Sequence, residues 1–423
     1  MKSFQPTTGT LIRIGGRAAL LIALAAGALS MRAQDVVASR PAEDLVPAAL
    51  QQAQAEQNIV PSGARPAYAP DTPLVASGPF TVRAHFSYRL LYGDGVPNPN
   101  GVQQSTTIHN LSPELLVDLG THWMFDYVPT WVYYSNASYT DSVDQSVRLN
   151  GWTTYQDWVL QLTQNYNTTS SPTVETGQQT KQVNWANSLS ATYSVNSAVA
   201  LEFGLLHSYQ SAESFTSSHQ WSTMDWVHYK PIPHVDTAVG LGLGYVDVNA
   251  GADTTFIRPE LQAGWSVTNK VSLTAHGGVE DRHFLSGGTP NSSNPIYGAS
   301  VVLQPFVTTK ITLGAEHDVA TSLFENVITK STVWQARLEQ RLFGEFYLST
   351  GGSHGKVAFL PLTGGALTSA RDDNTYTFDL SLSATVFRRC SAAVVFHNTH
   401  NSSTAGGFAL SSKQYGLELS YRY

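Results

Sequence analysis

The chain has 423 residues, of which 42% are hydrophobic, 11% aromatic and only 13% charged. Globular domains carry roughly 25% charged residues, so about half the usual charge is missing. Past residue 33 no apolar run reaches the ~18–20 residues of a spanning helix, which excludes a polytopic helical membrane protein. The single cysteine, Cys390, excludes a disulfide framework and a cysteine-based zinc site.

Residues 1–33 read as a secretory signal peptide. Lys2, Arg13 and Arg17 form a basic start, and Ala18 to Leu29 is an apolar stretch too short to span. Met31-Arg32-Ala33 places the cut after Ala33, and no lipidation cysteine follows. The leader holds four basic and no acidic residues, so its removal takes the formal charge from −7 to −11. An acidic mature chain argues against nucleic acid as a partner.

Residues 34–78 are rich in Ala, Pro and Gln and show no apolar stripe. Prolines at 41, 47, 61, 66, 70 and 73 predict a disordered periplasmic segment. It is too short for a plug domain.

From Phe80 onward the hydrophobic period is two. Phe80, Val82, Ala84, Phe86, Tyr88 and Leu90 alternate with Thr81, Arg83, His85, Ser87 and Arg89. Such alternation sends the two sets to opposite faces of a strand. Trp123, Phe125, Tyr127, Pro129, Trp131 and Tyr133 repeat it, as do Val239, Leu241, Leu243 and Tyr245 against Gly240, Gly242 and Gly244. A soluble sandwich also alternates. Two features favour a transmembrane antiparallel β-barrel, apolar outside and polar inside: the leader, and the Trp and Tyr gathered near strand ends.

Strand segments fall near 79–91, 105–119, 121–137, 143–154, 157–168, 181–194, 197–211, 218–230 and 234–249. They continue at 253–267, 270–285, 295–307, 309–320, 328–342, 345–358, 373–387, 390–401 and 409–423. The fold class is thus all-β, a barrel of about eighteen strands over 79–423. Every second connection is short, which fits periplasmic turns, and the others are longer outer loops. This parity is what divides 143–168 into two strands at Tyr155–Asp157.

The last strand carries Tyr415, Leu417, Leu419, Tyr421 and the terminal Tyr423 as one alternating row. That row resembles the carboxy-terminal assembly signal of outer-membrane proteins, which implies the barrel-assembly machinery as a partner. Over about 79–423, including Trp221-Ser222-Thr223-Met224-Asp225-Trp226, the chain resembles the β-barrel porins and outer-membrane β-barrel proteins of diderm bacteria. The resemblance implies an outer-membrane location and a pore, and brings no catalytic residue.

Sixteen to eighteen strands normally enclose water. The alternation directs Arg83, Arg89, Arg148, Arg258, Arg282, Arg337, Arg341 and Arg422 inward. It directs inward thirteen acids: Glu114, Asp118, Asp126, Glu202, Asp236, Glu260, Glu280, Glu316, Asp318, Glu339, Glu345, Asp379 and Glu418. The acidic excess predicts mild cation preference. Arg258 and Glu260 are expected to meet Glu280 and Arg282 across a short turn as a charged belt. Arg337, Glu339 and Arg341 share one face of another strand. These seven residues are the pore-lining candidates. The inward glycines 240, 242 and 244 are expected to widen the bore or to admit another segment. No loop is long enough to suggest a constriction device, and every lipid-facing surface reads as apolar.

His317 beside Asp318, and His397 with His400, are the nearest approach to enzymatic or metal chemistry. Neither constellation supplies a complete site, and no phosphate loop or HExxH occurs. The chain is therefore read as no enzyme, with no cofactor and no metal. Acidic loop residues Asp94, Asp141, Asp144, Asp372 and Asp373 are candidates for cations that bridge lipopolysaccharide. The expected function is passive diffusion of small hydrophilic solutes across the outer membrane. The alternative is an outer-membrane component of exopolysaccharide export or surface assembly. That alternative needs residues 34–78 and periplasmic partners, and a continuous inward aromatic track would support it; only Trp152 and Tyr347 offer themselves.

Overall fold

The computed structural model describes residues 73–285, 291–362, 367 and 369–423. The expected signal peptide and residues 34–72 of the expected linker lie outside the described residues, as do parts of the predicted loops 286–294 and 359–372.

The described elements are all strands. A short arm, β1 (Val75–Ser77), precedes eighteen long strands. The first nine are β2 (Phe80–Pro97), β3 (Gln103–Leu119), β4 (Trp123–Tyr134), β5 (Ser142–Tyr155), β6 (Trp158–Thr169), β7 (Gln182–Ser194), β8 (Val199–Ala212), β9 (Ser218–Ile232) and β10 (Val235–Val248). The rest are β11 (Thr254–Thr268), β12 (Val271–Phe284), β13 (Ser292–Phe306), β14 (Thr309–Thr321), β15 (Val327–Leu342), β16 (Phe346–Pro361), β17 (Arg371–Phe387), β18 (Cys390–Ser403) and β19 (Leu410–Arg422). Each pairs antiparallel with the next, and β19 pairs with β2 from Lys413↔Asp94 to Arg422↔His85. The sheet is a closed eighteen-strand barrel and keeps no open edge.

The register explains why the alternation survives the whole circuit. A slip of one residue at any seam flips a strand's faces. Following the pairs from Phe86↔Pro113 around to Tyr421↔Phe86 returns the large apolar residues to the face they left. Phe203, Leu241, Leu261, Leu313, Phe378 and Leu417 all sit on that face, each more than a third exposed.

The opposite face is identified by its reach. Arg258 of β11 contacts Asp318 of β14 at 3.0 Å, and His276 of β12 contacts Glu316 of β14 at 3.0 Å. Side chains on strands two or three apart converge only on the concave side, so this face lines the bore.

Connections after odd-numbered strands span two to four residues, and those after even-numbered strands span five to twelve. The barrel therefore has a short-turn end and a long-loop end. In the Phe343-Gly344 turn both φ angles are positive, at 51° and 78°, the mirror-image turn whose twist matches the flanking strands. The division at 155–157 holds: Gln156 adopts φ 51° and Tyr155 pairs with Trp158.

Three details differ from the sequence reading. The first barrel strand runs on to Pro97 through a bulge between Gly93 and Val96. Glu345 lies in a turn rather than on the wall. Residues 75–77, expected to belong to the linker, pair with β2 through Val75↔Val82 and Ser77↔Phe80. That arm continues the line of β19: Tyr423 N–H donates to Ala84 O (3.1 Å) and Leu74 N–H to Val82 O (2.8 Å). The edge of β2 that outruns β19 is thus satisfied by the arm.

Candidate functional site

Eighteen strands about 4.8 Å apart and tilted by about 40° enclose roughly 35 Å between opposite backbones. Inward side chains alone leave such a bore wide. The 170–181 loop between β6 and β7 narrows it. Folded back on itself, a twelve-residue loop reaches about 20 Å at ~3.3 Å per residue, which exceeds the bore's radius. A twelve-residue loop therefore suffices as a constriction device, contrary to the expectation from loop length alone.

The loop crosses the long-loop mouth. Ser170 N–H at its root donates to Asp144 Oδ1 (3.0 Å). Gln179 N–H donates to Asn98 O (3.2 Å), and the Gln179 side chain exchanges hydrogen bonds with the backbone of Thr140 (2.9 and 3.1 Å). Its far tip reaches β14–β17, nearly opposite. There Glu175 Oε1 accepts from the Ser322 hydroxyl (2.7 Å) and from Leu323 N–H (2.8 Å). Burial pushes the Glu175 carboxyl above the usual carboxylate range, against the pull of those two donors and of Arg371. The 322–326 loop comes to meet it: Thr216 N–H donates to Leu323 O (2.9 Å), and Phe215 lies edge-on to Phe324 at 5.4 Å.

Arg371, at the start of β17, locks this arrangement. It is fully buried and donates to Glu175 O (2.9 Å) and Val174 O (3.1 Å). Its guanidinium forks onto Asp373 and lies over Phe408 (3.6 Å) and Phe359 (4.2 Å). Asp373 also accepts from Asn401 Nδ2 (3.3 Å). A charge held this way has every donor directed, which is what its burial requires.

A second charged group sits on the wall below, still in the long-loop half. Arg258 Nε donates to Glu280 (3.1 Å), and Arg258 also contacts Asp318 (3.0 Å) and Glu260 (3.8 Å). Arg282 Nε donates to Glu280 Oε1 (2.9 Å), and both arginines flank the Phe256 ring at about 5.5 Å. Glu280 and Arg282 are 0% and 1% exposed, so this is a rigid strut of the wall rather than a row of free charges.

Arg337, Glu339 and Arg341 are not part of it. Asp318 pairs with Ser331, and Arg337 lies six residues further along β15, about 20 Å away. Arg337 contacts Glu339 (3.4 Å), while Arg341 donates to Gly344 O (2.9 Å) at the short-turn end. The seven candidates thus form two groups. Most other inward charges are matched: Arg83 with Asp118, Arg89 with Glu418 (2.7 Å), His85 with Glu114 (3.1 Å), and His228 between Glu202 (3.3 Å) and Asp236 (3.2 Å).

The inward glycines neither widen the bore nor form an open groove. A Cβ on Gly240 would strike the Trp226 ring at 2.4 Å, and one on Gly244 the Phe256 ring at 2.1 Å. Their absent side chains let these rings lie flat on the wall.

Other expectations separate on inspection. His317 faces outward against Tyr297 while Asp318 faces the bore. His397 faces inward onto Asp379 (2.5 Å), and His400 is on the outward face opposite Tyr376. Among the acidic loop candidates, Asp373 is committed to Arg371, and Asp94 accepts from Ser105 (2.8 Å) and Asp141 from Tyr134 N–H (2.8 Å). Trp152 packs on His122 at 3.9 Å between ring centres, and Tyr347 beneath Arg341, so they form no track. The row Tyr415, Leu417, Leu419 and Tyr421 lies on the outward face of the closing strand.

The latch residues Glu175, Arg371, Phe324, Phe359 and Phe408 escaped the sequence reading. Their one visible signal is an arginine and three phenylalanines at loop borders, where solvent-exposed loops favour small polar residues.

No family model matches the sequence, and no curated protein matches it. Solved structures of similar shape include OpdO of Pseudomonas aeruginosa, with a TM-score of 0.42 at 12% identity over 81% of this chain and 97% of that one. OccK2 (OpdF) of Pseudomonas aeruginosa in complex with glucuronate gives 0.43 at 12% identity, over 81% and 97%. OpdK of Pseudomonas aeruginosa with vanillate gives 0.42 at 10% identity, over 81% and 98%. These are likenesses of shape; the fold itself rests on the strand pairing.

Proposed function

We propose that the chain is an outer-membrane channel for passive diffusion of small hydrophilic solutes, narrowed at its outer mouth by the 170–181 loop. The observation that carries this reading is the closed barrel with large apolar residues outward and charged residues inward. A strand wall of that kind is stable with lipid outside and water inside. The short-turn end faces the periplasm and the long-loop end the exterior. Outer-membrane lipid and lipopolysaccharide surround the barrel, and Tyr415 to Tyr423 serve as its assembly signal.

Arg258, Glu260, Glu280 and Arg282 line the upper bore, and Arg337, Glu339 and Arg341 its periplasmic half. Twelve of the predicted acids keep their place on the inward wall, against eight arginines, and this supports mild cation preference. His85, His228, His276 and His397 each stand against a carboxylate.

The reading is tested by swelling of vesicles that contain the full chain, with neutral sugars of graded size and with potassium salts. Entry of small sugars with exclusion of large ones supports a narrowed channel. Vesicles that swell no faster than protein-free ones would refute it. A continuous aromatic track would have supported the export alternative, and Trp152 and Tyr347 stand apart.

A further inference from the structure

On β9, Tyr229 and Trp221 stand four residues to either side of Asp225, and all three are exposed on the outward face. Asp225 lies in register between Phe203 of β8 and Leu241 of β10. It makes no hydrogen bond or ion pair among the described residues. Hydrocarbon offers a carboxyl group no partner. Three neighbouring strands carry outward polar groups at the same level: Gln164 on β6, Asn187 on β7 and His207 on β8. Counted from the short-turn end of each strand, Gln164 is six residues in, Asn187 seven, His207 eight and Asp225 seven. Asn187 Nδ2 donates to His207 Nδ1 at 3.0 Å, which leaves the Nε2–H of that ring as a further donor.

Elsewhere around the barrel this outward level is mainly apolar, as at Leu149, Leu241, Leu261, Ala299 and Leu380. His317 and His354 are exceptions that stack on Tyr297 (4.9 Å) and Tyr376 (4.3 Å), and Asn398 stands opposite Lys413. Among the described residues, no other carboxylate faces outward at this level.

We propose that the outward wall of β6–β9 is the contact face for a second copy of this chain, with Asp225 of one copy meeting amide or imidazole donors of the other. The inference rests on the membrane reading above. Copies in one membrane are related by an axis along its normal, so residues at one height meet residues at the same height. This level supplies both the unmatched acceptor and the donors, so the patch complements itself, which lipid does not. The exposed Trp185 and Trp221 beside it are of a residue type enriched at interfaces.

The test uses the full chain, with Cys390→Ser, in the outer membrane of a diderm host. A Leu189→Cys/Val227→Cys pair, level on this wall, reports it, and a Leu313→Cys/Thr350→Cys pair, level on the β14–β16 wall, reports that one. The residues of each pair lie two strands apart, about 10 Å or more, too far for a bond within one copy. Oxidation is expected to join two copies through the first pair and not the second. Adding Asp225→Leu should lower the joined fraction several-fold while the barrel stays folded and inserted. Equal joining at both walls, joining at neither, or joining to a different protein would overturn the proposal. A chain that fails to float with lipid vesicles would instead overturn the membrane reading beneath it.

Discussion

The latch at the mouth offers the sharpest perturbation. Replacing Arg371 alone would strand Asp373 in a buried site, at a cost of about 3–5 kcal/mol, and confuse loop release with local unfolding. The double variant Arg371→Met/Asp373→Leu exchanges the buried pair for apolar groups of similar bulk, an exchange that is often neutral in itself. Asn401 keeps its bond to Phe408 O (2.8 Å). What is lost is the grip on Val174 O and Glu175 O. Hydrogen bonds from a charged donor contribute about 1.5–3 kcal/mol each, so docking of the 170–181 loop weakens by about 3 kcal/mol at the least. At about 1.4 kcal/mol per tenfold, its docked-to-undocked ratio falls by about 100-fold. Single-channel recording of the refolded variant should show larger or longer openings than the parent. The eighteen-strand ladder is untouched, so the thermal unfolding temperature should hold. A folded double variant with the parent's conductance and dwell times would refute the idea that this loop sets the aperture.

Three further outcomes follow from the same geometry. Burial raises the Glu175 pKa in the docked loop above its solvated value near 4.5, so the docked state binds the proton more tightly. Docking is then strongest below that solvated value and weakens as pH rises through the raised one; closed dwell times should lengthen in acid, and Glu175→Gln should flatten that dependence. Glu280→Leu leaves Arg258 and the buried Arg282 without their shared carboxylate and should cost about 3–5 kcal/mol, read as a lower urea midpoint by tryptophan fluorescence. An unmoved midpoint would show that the strut is dispensable. Glu202→Gln/Asp236→Asn removes two inward acids, and the reversal potential across a potassium chloride gradient should shift toward the value for a non-selective pore.

The strand plan was legible because an apolar outer face and a polar bore impose a period of two on every strand, and because parity of the connections constrained doubtful places such as Gln156. Period tells which face a residue takes and not what stands opposite across the bore. Glu175 and Ser322 are 147 residues apart, and Arg371 and Val174 are 197 apart; nothing in the local pattern of either segment names the other. Arg258, Glu260, Glu280 and Arg282 could be brought together from sequence because one short turn fixes their register. Arg337, Glu339 and Arg341 share the face of that group but not its height. The expectation of a wholly apolar outer surface failed at Gln164, Asn187 and Asp225, single interruptions inside otherwise apolar rows that become a patch only once β6–β9 are laid side by side. The mouth was misjudged through loop length alone, since a twelve-residue loop already passes the centre of an eighteen-strand bore.

The measurement that bears most directly on the central claim is single-channel conductance of the refolded full chain in a planar bilayer. Discrete, reproducible steps that are small for an eighteen-strand bore and grow in Arg371→Met/Asp373→Leu are the result this account predicts. A folded, membrane-inserted barrel that passes no current, in the parent and in the latch variant alike, would contradict it.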